Sequence, residues 1–152
     1  MIINRNFELV YEIEYFRRAL LMVRAKVSNI YVFFTGFGSL ENKLRELVKE
    51  LKLEPVVIFI GSVPNEDMPA FLNARDLYVS SSLSDGTSLS LLEAMACGLP
   101  VVVTDVPANL EWVVNGENGL VVPRRSINEL AMAIIYLLQN EDIRKKWGKE
   151  TS

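Results

Sequence analysis

The sequence predicts an α/β domain with a doubly wound parallel sheet, and three observations predict it. Short apolar runs rich in β-branched and aromatic residues recur at 30–34, 56–60, 77–80, 100–104 and 120–122, with a shorter one at the start. Segments of helical period separate them, long enough to carry crossovers between parallel strands. Polar, glycine-containing turns follow several of the runs, at 35–39, 61–64 and 82–87. That is where open sheets of this class hold ligands. Five or six strands are expected, in one domain spanning residues 1–152.

Composition narrows the class. Half of the 152 residues are hydrophobic, enough for one domain with a real core. Sixteen basic and 19 acidic residues give a formal charge of −3, which offers no general nucleic-acid surface. The only cysteine, Cys97, has no disulfide partner, and there is no histidine. Soft-metal sites and the commonest general base are thereby excluded. No apolar run reaches 18 residues and no signal peptide is visible, so a soluble cytoplasmic domain is expected.

The elements follow in order. Residues 1–3 open as a strand, and Asn4, Arg5 and Asn6 form a polar turn. Ile13, Phe16, Leu20 and Val23 recur at helical spacing. The strand at 30–34 runs into the turn with Gly36 and Gly38, too short of glycines for a dinucleotide fingerprint. A second helix buries Leu40, Leu44, Leu47, Val48 and Leu51. The strand at 56–60 ends at Gly61 and Ser62, and a short helix from Pro64 to Leu72 leads to the strand at 77–80. Beyond 100–104, a short helix is expected at 110–113, then turns at Asn115-Gly116 and Asn118-Gly119, and a strand at 120–122. Ile127, Leu130, Ala131, Ile134, Ile135 and Leu138 mark a long helix, and Ile143 and Trp147 a final short one.

The chemistry concentrates between residues 78 and 104. Ser84, Asp85, Gly86, Thr87 and Ser88 carry a turn and helix-entry signal. The helix follows from Leu89 to Cys97, stopped by Gly98 and Pro100. Its apolar residues are dense, with Cys97 expected to be buried, and Glu93 stands out among them. One reading puts Glu93 on the solvated stripe of the helix; the other puts it at the sheet's ligand edge, binding hydroxyls. Asp85 is either a cap or a second carboxylate around the same crevice. Hydroxyls at Ser84, Thr87, Ser88 and Ser90, and free amides in the first turn, suit a phosphate.

The stretch from Gly61 to Pro123 resembles the C-terminal domain of family-four retaining glycosyltransferases, the two-domain GT-B type that includes sucrose, glycogen and mannosyl transferases. Its most specific part is an acid, seven residues, then Glu within LLEAMACGLPVV, and the likeness extends over essentially the whole chain. It implies a Rossmann-like three-layer α/β/α sandwich that binds a nucleoside-diphosphate sugar as donor substrate, without cofactor or metal. Asp85, Glu93 and Arg5 form the implied catalytic set: Glu93 on the ribose hydroxyls, Asp85 by the donor sugar, Arg5 clamping the diphosphate. The implied donor-binding set adds Gly36, Phe37, Ile60, Gly61, Ser62, Val63, Gly86, Thr87, Ser88, Leu89 and Ser90.

Two departures accompany the resemblance. Tyr11 stands where the family commonly has a lysine, and Asp85 where it usually has Glu. An N-terminal acceptor domain is implied as the partner. The chain is then the donor-binding half of a longer transferase, monomeric and inactive alone, whose parent could sit at the inner face of the membrane. A sugar-nucleotide epimerase domain and a non-enzymatic binding module on the same fold are the alternatives.

Overall fold

The computed structural model describes residues 2–4, 10–27, 30–35, 41–61, 64, 66–80 and 89–151. Six strands form one sheet: β1 (Ile2–Asn4), β2 (Val32–Thr35), β3 (Val57–Gly61), β4 (Tyr78–Ser80), β5 (Val101–Thr104) and β6 (Gly119–Val122). Their order is β3-β2-β1-β4-β5-β6, with every pairing parallel. The order reverses direction between β1 and β4, the switch point of a doubly wound sheet. The predicted Rossmann-like architecture stands, with six strands.

The helices are α1 (Val10–Lys26), α2 (Glu41–Glu50), α3 (Met68–Asn73), α4 (Leu89–Ala96), α5 (Pro107–Leu110), α6 (Ile127–Gln139) and α7 (Glu141–Thr151). They cover the sheet with two cores. On one face Ala19, Leu20 and Val23 of α1, Val48 of α2, and Leu130, Ile134 and Leu137 of α6 meet Val32, Phe34, Val79 and Val102. On the other, Leu72 of α3 and Leu91 and Ala94 of α4 meet Tyr78, Val101 and Val103. Neighbouring residues of one strand thus enter opposite cores, as the two-residue period of a strand dictates. Burial on both faces is why these strands read as unbroken apolar runs.

The helix after β5 lies earlier than the sequence suggests, at Pro107–Leu110 instead of 110–113. Val106 is extended and Pro107 takes the first helical position, where its fixed φ suits a helix and its missing N–H is not needed. Gly119 is a buried strand residue, not part of a polar turn. A Cβ there would come within 2.7 Å of the Val101 carbonyl oxygen, so the β5–β6 contact needs glycine. Cys97 is half-buried, not buried, because it lies past the last turn of α4. The terminal helix is eleven residues long, not short.

α4 ends as glycine predicts. Gly98 has φ +78°; its N–H donates to the Met95 carbonyl, and that of Leu99 donates to Ala94, both at 3.0 Å. This paired closure, with Leu99 buried behind it, stops the helix cleanly. Gly148 of α7 packs on the same turn: an added Cβ would strike the Gly98 carbonyl oxygen. The fold's last helix is therefore docked by two glycines and by the buried Trp147.

Candidate functional site

The carboxyl ends of the strands form one edge. Asn4 pairs with Thr35, and Thr35 with Gly61, so the ends of β1, β2 and β3 stand in one row. On the other side of the switch point, Ile3 pairs with Val79, Ser80 with Val103, and Thr104 with Val122. Arg5 follows the end of β1 directly, and Gly36 follows the end of β2. Arg5, Gly36, Phe37, Ser62, Val63, Asp85, Gly86, Thr87 and Ser88 lie outside the described residues.

Ile60 and Gly61 carry a feature that periodicity could not reveal. Phe34 pairs with Phe59, but Thr35 pairs with Gly61, so Ile60 is an extra residue in β3. Such an irregularity bends a strand and re-aims side chains, and is common beside ligand sites. Ile60 is 37% exposed at the carboxyl end of this edge strand, with Ile58 equally exposed on the same face. That leaves an apolar surface next to the turn predicted to face a base. No residue pattern marks the irregularity, since Val-Ile-Phe-Ile reads as a plain buried strand.

Glu93 lies four residues into α4, about 6 Å along its axis from Leu89. It is half-buried: Leu91, Ala94 and Met95 occupy the core side, and Ala96 is exposed. The carboxylate is thus neither in the core nor on the wettest stripe. It acts on its neighbour one turn on. Burial pushes the Cys97 thiol above its ordinary pKa, and the Glu93 charge raises it further. Leu89 and Ser90 form the first turn of the helix, on the edge side of Glu93.

Beyond the switch point the edge is tied by polar contacts. Asn109 is 2% exposed; its Nδ2 donates to the Thr104 carbonyl at 3.0 Å and lies 3.4 Å from Thr104 Oγ1. This bond sets how the chain leaves β5 for α5. Asp105 Oδ1 accepts from both the backbone N–H and Nε of Arg124, each at 3.0 Å, linking the ends of β5 and β6. The sequence signalled neither, because an asparagine or aspartate after a strand reads as a turn former. Among the described residues no cluster of His, Cys, Asp or Glu could hold a metal, and no helix is long and apolar enough to cross a membrane.

The model of the family described as glycosyl transferases group 1 matches residues 2–152. The chain belongs to that family. This glycosyl transferase domain is 33% identical over 121 residues to an uncharacterized glycosyltransferase of Methanocaldococcus jannaschii, covering 79% of this chain and 31% of that one. It is 33% identical over 115 residues to the O-antigen chain mannosyltransferase B of Escherichia coli, covering 75% and 30%. The domain spans about a third of the length of these curated relatives. Among solved structures it resembles TarM of S. aureus, with TM-score 0.87 and 24% identity over 99% of this chain and 31% of that one. The C-terminal domain of a group 1 family protein (LpcC) from Francisella tularensis gives TM-score 0.83 and 25% identity, covering 97% and 80%. The GT-B glycosyltransferase fold is that of the sheet described above.

Proposed function

We propose that this domain is the C-terminal half of a family-four retaining glycosyltransferase and holds a nucleoside-diphosphate sugar at the carboxyl edge of its sheet. The observation that carries the reading is the position of Glu93: one turn into the helix beside the switch point, half-buried, in the acid-seven-acid register with Asp85. A carboxylate there offers two acceptor oxygens to a ribose diol. Asp85 lies by the donor sugar, and Arg5, directly after β1, clamps the diphosphate as charge develops on it. Amides of the first turn of α4, around Ser88, Leu89 and Ser90, take the distal phosphate. The base lies against Ile60, Gly61, Ser62 and Val63, near Gly36 and Phe37, with Gly86 and Thr87 completing the loop. Support comes from the family match and from structures of the same fold: that of TarM contains UDP, and that of pneumococcal GtfA contains UDP and GlcNAc.

The parent's remaining length supplies the acceptor half, so the domain binds donor and transfers nothing. Titration calorimetry with UDP, GDP and ADP tests this. One of the three should bind with Kd of ~10⁻⁴ M, weakened by the missing contacts of the closed enzyme. Glu93→Ala should lose roughly 1.5–3 kcal/mol of that affinity with the fold intact by circular dichroism. Equal affinity in wild type and variant would falsify the role of Glu93. Arg5→Ala should remove the preference for diphosphate over monophosphate, whereas Tyr11→Lys should strengthen diphosphate binding by about 1 kcal/mol.

A further inference from the structure

The amino-terminal end of the sheet holds a cavity of its own, opposite the edge proposed for the donor. It measures about 220 Å³ and lies between the residues leading into β2 and β4 and the last turn of α6. Ile30, Phe33 and Leu138 give it an apolar wall, and Arg75 and Asp76 place one charge of each sign on it. Ile30 is buried, so that wall is continuous with the core.

Arg75 is fixed in place. Its guanidinium lies 4.0 Å from the centre of the Phe33 ring and 4.8 Å from that of Phe71, and Nε donates to the Phe71 carbonyl at 3.2 Å. Those contacts use the face of the guanidinium and Nε. Nη1 and Nη2 make no hydrogen bond among the described residues, and neither Arg75 nor Asp76 makes an ion pair there. A head pinned on two rings does not swing across to the next residue. A neighbouring cavity of about 170 Å³ shares both side chains, but its other charges are engaged. Lys145 pairs with Glu141 at 3.1 Å, and Arg144 donates to the carbonyls of Leu137 and Leu138. The open charge in the two cavities is therefore one guanidinium and one carboxylate.

A simple anion would meet Asp76 and a simple cation Arg75, so a ligand of single charge gains at one residue and loses at the other. A ligand with both charges on neighbouring atoms bridges the pair. The planar fork of Arg75 suits a carboxylate, and Asp76 accepts from an ammonium. An α-amino acid carries those groups on one carbon. The apolar wall selects an aliphatic side chain, and the volume falls below the roughly 300–1,000 Å³ of sites for larger ligands.

We propose that this cavity binds a free aliphatic α-amino acid, with its carboxylate on Nη1 and Nη2 of Arg75, its ammonium on Asp76 and its side chain against Ile30, Phe33 and Leu138. The site lies at the opposite end of the strands from the donor edge, so both can be occupied together.

The test is titration of the isotope-labelled 152-residue chain with L-leucine, followed through backbone amide shifts. The amides of Tyr31, Arg75 and Asp76 should move together, with Kd on the order of 10⁻³ M for so small a ligand. Isocaproate, which lacks the ammonium, and isoamylamine, which lacks the carboxylate, should each bind about tenfold more weakly. Asp76→Asn, at an exposed position, should weaken leucine about tenfold and leave isocaproate unchanged. Lys145→Gln, which touches only the neighbouring cavity, should bind leucine as wild type. Absence of shifts at saturating leucine, equal binding of isocaproate or inorganic phosphate, or wild-type leucine affinity after Asp76→Asn would each overturn the proposal.

Discussion

Position 148 tests how tightly a single backbone contact is held. In an exposed helix, glycine to alanine gains up to about 1 kcal/mol from propensity. Here the new Cβ meets the Gly98 carbonyl oxygen, which is backbone and belongs to a closed turn. Gly148→Ala should therefore destabilise the fold by about 1–3 kcal/mol, the range for overpacking. Urea unfolding followed through the buried Trp147 measures it. Cys97 offers a second test. Its raised pKa means that the folded chain keeps the thiol proton to higher pH than the unfolded chain does. The associated stability is present below the ordinary thiol value of about 8.5 and falls as pH rises above it. Thiol modification at pH 8 should be slower in the folded chain than in urea, and Glu93→Gln should accelerate it. An unchanged rate would mean the carboxylate points away from Cys97. At this scale the sequence was legible where chemistry is unusual, as with a carboxylate in an apolar helix. It was silent on the Asn109 bond to Thr104, which a turn former does not announce, and on the irregularity at Ile60, which depends on the pairing of β3 with the distant β2.

At the scale of elements, α6 is finished by a residue outside it. Arg144 Nη1 donates to the carbonyls of Leu137 and Leu138 at 2.6 and 2.7 Å, satisfying the end of a helix that packs into one of the two cores. Arg144→Ala should cost about 1.5–3 kcal/mol, as for hydrogen bonds from a charged donor, and lower the thermal midpoint. Arg144→Lys should recover only part, because the shorter and more strongly hydrated ammonium must reach the same two acceptors. Arg75 closes α3 in a related way: its Nε donates to the Phe71 carbonyl at 3.2 Å while its guanidinium lies 4.0 Å from the Phe33 ring centre. Long elements were legible because their periodicity repeats over many turns. The four-residue α5 was misplaced because one turn has no period, and Pro107 was the better signal.

At the scale of the whole molecule, the sheet divides labour between its ends. The amino-terminal end carries the glycine contact, the α6 cap and the stacked Arg75; the carboxyl end carries the irregularity at Ile60 and the Asn109 and Asp105 ties. The domain should unfold as one unit and, on the function proposed above, transfer no sugar when mixed with donor and acceptor. Any turnover by purified protein that follows its own elution profile would sink that expectation. Alternation of runs and helices made the parallel sheet legible. It could not supply the strand order, in which β1 lies between β2 and β4 and so pairs with strands from two distant parts of the chain.

That strand order also fixes a schedule. β1 is the middle of the sheet, yet Ile2 takes one neighbour from Phe33 and the other from Tyr78. On the ribosome, β2 and β3 are complete well before β4 exists. At about 5–20 residues per second, the half-sheet waits for some seconds with one flank of β1 unpaired. During that wait the strand destined for the centre is an edge, able to template a neighbour from another nascent chain. Crowded polysomes and fast initiation should raise misassembly of this domain, and slower initiation should relieve it, with no change in the finished fold.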